Sequence, residues 1–186
     1  TRPSENPALD IDQDLLLERV LRKHPDVIGV GEMRSAKEAL SVAESSRTGH
    51  TVVTTIHSNS AESTYRRMMT LAKRKYNMAD EILMQIMVEA YPIVVFTKQL
   101  EDGSRRTMQI IEGEDYKDGE LIFHPLYQFD VTDNITDAYG NITVIGSHKK
   151  LGGISYNLKR RMLDNGVPAG KLKPFLPDAP CKEGGK

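Results

Sequence analysis

The stretch that decides the fold runs from residue 25 to residue 60. It begins PDVIGVGEMR (residues 25–34), passes through a segment with helical spacing, and ends TGHTVVTTIHSNS (residues 48–60). Each end contains a short apolar run, VIGV and TVVTTI, that predicts a buried strand. Glu32 follows the first run and His57 follows the second. Because ligands bind beyond the carboxyl ends of parallel strands, the stretch predicts a metal and phosphate site at which Glu32 and His57 are neighbours.

Length and composition narrow the class of protein. The chain has 186 residues, a net charge of -1 and one cysteine, Cys181. This length suffices for one domain with a hydrophobic core and a small appendage. The single cysteine excludes an internal disulfide framework and favours an intracellular compartment, and the near-zero charge does not point to nucleic acid or an anionic membrane. The polar start without a methionine predicts a fragment of a longer polypeptide.

The first part of the chain alternates predicted strands and helices. Four segments with helical spacing each begin at or after a residue that can cap a helix; these residues are Asp14, Ser35, Asn59 or Ser60, and Asp80. Three apolar strands are predicted over residues 27–30, 51–56 and 93–96. Strands that alternate with helices in this way are typical of a parallel sheet.

The second part has a different character. Residues 106–111 and 120–129 are predicted as antiparallel strands, joined by a polar loop over residues 113–119, and a hairpin turn is predicted at Asp102-Gly103. Residues 130–141 resemble a loop. The predicted fold class is therefore α/β, with parallel strands and helices plus an antiparallel meander that extends the edge of the sheet.

These patterns predict four segments in the chain: an N-terminal loop (1–13), an α/β core (14–130), a small appendage with a helix (131–173) and a disordered tail (174–186).

Glu32 and His57 are the two residues best placed to do chemistry. A carboxylate at the end of an apolar strand can hold Mg²⁺ or one of its waters; the alternative is a surface or capping glutamate beside Arg34. An imidazole can donate a hydrogen bond to a phosphate oxygen; the alternative is a structural histidine. Thr55 and Ser58 add hydroxyl donors around His57, and Arg34 could neutralise phosphate charge.

His50 precedes the same predicted strand that His57 follows. A straight strand of this length separates the two side chains by roughly 17–20 Å, so a zinc site built from both histidines and Glu32 is not expected. Gly49 is expected to end the preceding helix, and His50 to brace that turn or to reach a neighbouring subunit. Further arginines that could neutralise charge, although most are expected to be solvated, are Arg47, Arg66 and Arg67.

One segment imitates a phosphate-binding loop. Residues 166–172, GVPAGKL, are one residue short of G-x-x-x-x-G-K-S/T, and Leu172 stands where a hydroxyl would reach magnesium. No buried strand is predicted before it. We therefore reject it, and no other such loop occurs in the 186 residues.

Residues 25–34 resemble the Walker B segment of the type II/type IV secretion ATPases, and residues 48–60 resemble their His box. The segments YPIVV (91–95) and LEDGSRR (100–106) are similar to the tight-adherence pilus and conjugative branch of that family. The resemblance covers roughly residues 1–130 and implies a RecA-like P-loop NTPase core, with ATP and Mg²⁺ as cofactors. It also implies a hexamer, membrane-embedded secretion or pilus platform proteins as partners, and a location at the cytoplasmic face of the membrane.

The resemblance assigns roles to single residues. Glu32 would act on magnesium or its water, His57 would sense the terminal phosphate, and Arg34 follows the glutamate as it does in the family. The P-loop and the acidic segment that carries the family's general base are absent from this sequence, and both lie upstream in relatives. The chain therefore resembles the C-terminal half of such an ATPase, and we expect it not to hydrolyse ATP alone.

The sequence is also compatible with two other functions. The chain could be a non-catalytic assembly module that keeps the fold, with Glu32 and His57 as relics of ancestry. It could also be a nucleic-acid motor of the same RecA-like group, although the neutral charge and the lack of a basic strip with aromatic residues argue against direct nucleic-acid binding.

Overall fold

The computed structural model describes residues 13–177, and it divides into two compact units between Tyr91 and Pro92. Nearly all of the predicted N-terminal loop, and the predicted tail beyond residue 177 with Cys181, lie outside the described residues. The division of the chain into segments that end at residues 13, 130 and 173 stays a prediction. Within residues 13–177, no helix combines the length and apolarity needed to cross a bilayer.

The first unit is an α/β arrangement around a parallel strand pair. Its elements in chain order are α1 (Gln13–Leu21), β1 (Val27–Val30), α2 (Ala36–Arg47), β2 (Thr51–Thr54), α3 (Ala61–Lys73) and α4 (Asp80–Ala90). β1 and β2 pair in parallel, from Val27 opposite Thr51 to Val30 opposite Thr54. The first predicted strand is confirmed to the residue, whereas β2 ends two residues earlier than predicted.

Ser35 begins α2 with a reciprocal capping arrangement. Its hydroxyl accepts a hydrogen bond from the Glu38 amide at 3.1 Å, and the Glu38 carboxylate accepts one from the Ser35 amide at 2.9 Å. The same carboxylate accepts from the Arg34 amide at 2.6 Å. These bonds satisfy amides that have no partner within the helix, so α2 begins directly after the segment that carries Glu32.

We expect Ser35→Ala to lower the free energy of unfolding by about 1 kcal/mol, the usual cost of removing a serine N-cap. Urea unfolding followed by circular dichroism measures this cost. Ser41→Ala, in the interior of α2, is the matched control, because alanine is favoured there. A Ser35→Ala chain as stable as the wild type would show that Glu38 alone holds the start of the helix.

The core of the first unit lies between its helices. Small side chains on α2 allow close packing, and Ala36, Ala39 and Ala43 are buried. Three methionines are almost fully buried in the same unit: Met68, Met84 and Met87. The Tyr65 hydroxyl donates to the Tyr91 carbonyl at 2.6 Å, which ties α3 to the end of α4.

The strand pair is covered on one face only, and the prediction of two fully buried strands is wrong in this respect. Ile28 and Val30 are buried, but Val27 is 58% exposed and Val53 is 61% exposed. Val27 and Val53 point to the same side, because Gly29 is the partner of Val53 in the parallel register. We refer to this side as the open valine face.

The second unit contains a four-stranded antiparallel sheet in the order β3-β4-β5-β6. The strands are β3 (Ile93–Gln99), β4 (Arg105–Lys117), β5 (Glu120–Thr136) and β6 (Ile142–Lys150), followed by α5 (Tyr156–Asp164), α6 (Ala169–Leu172) and a 3₁₀ turn (Lys173–Phe175). The α/β class with parallel strands and an antiparallel meander is confirmed. The meander does not extend the parallel pair as expected, because β3 pairs with β4 in a separate sheet.

Two predicted loops are largely strand. β4 and β5 continue through residues 113–117 and 130–136, and the intervening turn is Asp118-Gly119, with φ angles of 53° and 84°. Positive φ at both central residues is the requirement of a tight hairpin turn, which favours Asp-Gly. The second predicted loop shortens to a turn held by Asp137, which accepts hydrogen bonds from the amides of Tyr139 and Asn141.

A buried carboxylate joins the sheet of the second unit to α5. Glu112, on β4, is 2% exposed, and its two oxygens accept from the Ser155 amide at 2.7 Å and the Ser155 hydroxyl at 2.5 Å. The Ser155 hydroxyl in turn accepts from the Leu158 amide at 3.0 Å and caps the helix. The glutamate therefore fixes where α5 begins.

Candidate functional site

Glu32 and His57 lie beyond the carboxyl ends of β1 and β2, and the structure brings them together. The His57 Nε2 atom is 3.5 Å from the Glu32 Oε1 atom. The Glu32 side chain is 26% exposed and the His57 side chain is 91% exposed. The predicted proximity of the two residues is therefore confirmed, and the imidazole lies on the solvent side of the pair.

Arg34 contacts the other oxygen of the same carboxylate. Its Nη2 atom donates to Glu32 Oε2 at 2.5 Å. This hydrogen bond is the main reason that the pKa of Glu32 lies below its ordinary value. Partial desolvation of the carboxylate raises the pKa, whereas the electrostatic attraction of Arg34 and His57 lowers it further. A lowered carboxyl pKa means that the charge is present at neutral pH and is lost only as the pH falls through that lowered value.

Thr55 bonds to the residues on both sides of Glu32. Its hydroxyl donates to the Gly31 carbonyl at 2.6 Å, and its carbonyl accepts from the Met33 amide at 2.8 Å. The one hydroxyl proton is thus used within the protein, and the role of Thr55 in phosphate binding stays a prediction.

Ser58 is also engaged within the chain. Its hydroxyl lies 3.0 Å from the Ser60 carbonyl and 2.7 Å from the Thr64 hydroxyl. These contacts fasten the segment that carries His57 to the first turn of α3. Thr64 was not among the predicted site residues, and its signal in the sequence is its position one helical turn after the Ser60 cap.

His50 and Gly49 lie at the opposite end of β2 from His57. The His50 Nδ1 atom is 3.2 Å from the Ser45 carbonyl at the end of α2. This contact agrees with the first of the two expectations for His50, that it braces the turn. Gly49 has a φ of 103°, a conformation that glycine adopts without strain. Neither residue shares the site with Glu32.

The other candidate arginines are not gathered at the pair. Arg47 donates to Glu89 at 2.8 Å and to Glu44 at 3.0 Å, which joins α2 to α4. Arg66 and Arg67 are exposed on α3. Only Arg34 among the predicted arginines contacts Glu32 in the described part of the chain.

The donors at this site suit a hard cation better than zinc. Among residues 13–177, no group of three or more histidine, cysteine, aspartate or glutamate side chains is arranged to hold a metal. Mg²⁺ retains several waters and binds through one or two carboxylates together with substrate phosphates. One ionised, partly exposed carboxylate therefore fits a magnesium ion that arrives with a nucleotide, and does not fit a zinc site.

Comparisons with known proteins agree with the sequence resemblance. The family described as type II/IV secretion system protein matches residues 4–99, just over half of the chain. This range contains Glu32, Arg34, Thr55 and His57.

Two curated relatives illustrate the similarity. The type IV pilus assembly ATPase PilB of Pseudomonas aeruginosa is 36% identical over 77 residues, which are 41% of this chain and 14% of PilB. The conjugal transfer protein TrbB of Rhizobium radiobacter is 34% identical over 108 residues, which are 58% of this chain and 32% of TrbB. The chain thus spans less than a third of the length of either relative.

Among solved structures, the ATPase DotB of Yersinia pseudotuberculosis has a TM-score of 0.41 and 15% identity, covering 87% of this chain and 31% of that one. Since the family match spans both strand ends and the Glu32–His57 pair, the chain belongs to the type II/IV secretion system protein family.

Proposed function

We propose that this chain is the C-terminal motor portion of a secretion, pilus-assembly or conjugative-transfer ATPase. The observation that carries the proposal is the 3.5 Å approach of His57 to the Glu32 carboxylate beyond two parallel strands. The match to the type II/IV secretion system protein family supports the proposal, and so does the similarity to a pilus assembly ATPase. In this proposal residues 25–34 serve as Walker B and residues 48–60 as the His box.

Each member of the site has a separate role in the proposal. Glu32 holds Mg²⁺ through water or orients the water that attacks the terminal phosphate, and its low pKa keeps it charged. His57, with most of its surface exposed, donates a hydrogen bond to a phosphate oxygen. Arg34 fixes one carboxylate oxygen and leaves the other toward His57. Bound magnesium would supply charge neutralisation, and the chain's own residues supply positioning.

The phosphate-binding loop is proposed to come from a part of the protein outside these 186 residues. β1 borders a groove of about 580 Å³, which α1 lines with Leu16, Leu17 and Val20. The open valine face adds uncovered apolar surface on the same strand pair. Parallel strands are normally covered on both faces, and these surfaces support packing of the remaining RecA-like core against the pair.

The proposal extends to assembly and location. The full-length protein would form a hexamer and act on membrane-embedded secretion or pilus platform proteins from the cytoplasmic face of the membrane, without binding nucleic acid directly. The names of the relatives, a pilus assembly ATPase and a conjugal transfer protein, support this setting.

We expect the isolated 186-residue chain to show no ATP hydrolysis above background, because no P-loop is available to hold the β- and γ-phosphates. The polypeptide that also contains the upstream P-loop should hydrolyse ATP in the presence of Mg²⁺. Phosphate release from both samples is the measurement. Robust hydrolysis by the isolated chain that Glu32→Gln abolishes would contradict the division of the site between the two parts.

A second candidate function is a non-catalytic assembly module, and one observation favours it. The hydroxyls of Thr55 and Ser58 both bond within the chain and not toward an open site. A nucleotide-binding assay on the polypeptide with the P-loop separates the two functions. Magnesium-dependent ATP binding supports the motor, and its absence supports the assembly module.

A further inference from the structure

The backbone around Glu32 is held by a single residue of the neighbouring strand segment. Thr55 follows the end of β2, and its hydroxyl donates to the Gly31 carbonyl at 2.6 Å. The Thr55 carbonyl accepts from the Met33 amide at 2.8 Å. The two bonds reach the residue before Glu32 and the residue after it, so the Cα atom of Glu32 is fixed from both sides.

Only one of the two hydrogen bonds depends on the Thr55 side chain. The bond from the Met33 amide uses backbone atoms alone and is independent of the side chain at position 55. The bond to Gly31 requires a hydroxyl, and the β-branched threonine restricts χ1 and so holds that hydroxyl in one place. Removing the hydroxyl therefore frees one side of Glu32, while the β1–β2 ladder and the second bond remain.

We propose that Thr55 is a positioning residue that sets the Glu32 carboxylate opposite His57. This inference rests on the proposed function, since it concerns the geometry of the same pair. It replaces direct phosphate binding, because a hydroxyl has one proton and the Gly31 carbonyl accepts it. A displacement of about 1 Å at a reacting group can cost about 100-fold in rate, so a bond of this kind affects turnover without touching the nucleotide.

The test uses Thr55→Val and Thr55→Ser in the polypeptide that also carries the P-loop. Valine has nearly the shape of threonine but no hydroxyl, and serine keeps the hydroxyl. The matched control is Thr54→Val, because the Thr54 hydroxyl makes only a long 3.4 Å contact with the Thr55 carbonyl. Steady-state ATP hydrolysis gives kcat and KM for each variant, with Glu32→Gln measured beside them.

We expect Thr55→Val to lower kcat by about 10- to 100-fold and to change the KM for ATP by less than about twofold. Thr55→Ser and Thr54→Val should retain a kcat within about threefold of the wild type. Recovery of kcat in Thr55→Ser would show that the hydroxyl is what matters, because serine does not restore the packing of the missing methyl group. Thermal unfolding of every variant confirms that each is folded at the assay temperature.

Two results would overturn the inference. If Thr55→Val keeps the wild-type kcat while Glu32→Gln is inactive, Thr55 does not position the glutamate, and the proposed function stands. If Thr55→Val raises KM and leaves kcat unchanged, Thr55 binds the nucleotide directly. Full activity of Glu32→Gln would instead refute the proposed function itself.

A second measurement tests the inference if the Thr55→Val variant folds poorly. Amide chemical shifts of the 186-residue chain, recorded for the wild type, Thr55→Ser and Thr55→Ala, report on the Gly31 bond without any ATPase assay. Shift changes in the alanine variant concentrated at Gly31, Glu32 and Met33, with serine close to wild type, support the inference. An unchanged Glu32 amide in the alanine variant would contradict it.

Discussion

Glu32→Gln is expected to lower ATP hydrolysis by about two to three orders of magnitude in the polypeptide that also contains the P-loop, the range typical for loss of one positioned electrostatic group. Glutamine has the shape of glutamate but no charge. It would neither attract a magnesium-bound water nor orient the attacking water as a carboxylate does, and Arg34 would lose its anionic partner. Phosphate release with saturating Mg-ATP measures the effect.

ATP binding separates a catalytic defect from a folding defect in this variant. Glu32→Gln should bind ATP within a few-fold of the wild type, because the P-loop supplies most phosphate contacts. Glu81→Gln, at an exposed position in the first turn of α4, is the matched control and should retain wild-type hydrolysis. Equal hydrolysis by wild type and Glu32→Gln would remove the basis for the proposed motor.

The largest effect on stability is expected in the second unit, for Glu112→Ala. This change leaves the buried amide and hydroxyl of Ser155 without their acceptor. It also removes a negative charge from the N-terminal end of α5, where the helix dipole favours one. An unsatisfied buried polar group costs about 1–3 kcal/mol, so two of them predict a loss of about 2–6 kcal/mol.

Urea unfolding followed by far-ultraviolet circular dichroism and tyrosine fluorescence measures this loss, since the chain contains no tryptophan. Glu120→Ala, exposed at the start of β5, is the control and should change stability by less than about 0.5 kcal/mol. Glu112→Gln should give an intermediate loss, because it keeps one acceptor oxygen. If Glu112→Ala unfolds at the wild-type urea concentration, the glutamate does not hold α5 in place.

The sequence was most informative where local patterns and tertiary packing agree. The VIGV run is bounded by Pro25 and by polar residues, and β1 forms over those four residues. Ser35 and Ser60 both cap the helices expected after them. At these positions the residue type, the helix start and the packing all favour the same structure.

Prediction failed where polar residues lie on exposed strands. Glu114 and Asp115 favour a loop by composition, but Asp115 pairs with Ile122 of β5, and Glu114 lies at a β-bulge within the same strand. The Asp118-Gly119 turn was the available signal, because this dipeptide favours a two-residue hairpin. The grouping of β3 to β6 in a sheet separate from the β1–β2 pair depends on long-range contacts that no local pattern records.

The sequence predicted which residues form the site but not all of the contacts that these residues make. An apolar run ending in a carboxylate and another ending in an imidazole were sufficient to expect Glu32 and His57 together. The same reasoning did not reveal that the Thr55 and Ser58 hydroxyls bond within the chain, since a hydroxyl beside a histidine can bond to a ligand or to the backbone. Only coordinates distinguish these two uses.

The open valine face has a practical consequence for anyone who purifies this chain alone. Val27 and Val53 present branched apolar surface on the exposed side of a short strand pair, and apolar attraction between molecules strengthens in sulfate-containing buffers. We infer that concentrated stocks will associate through this face as kosmotropic salt rises, and that Val53→Thr will remain dispersed at higher salt than the parent chain.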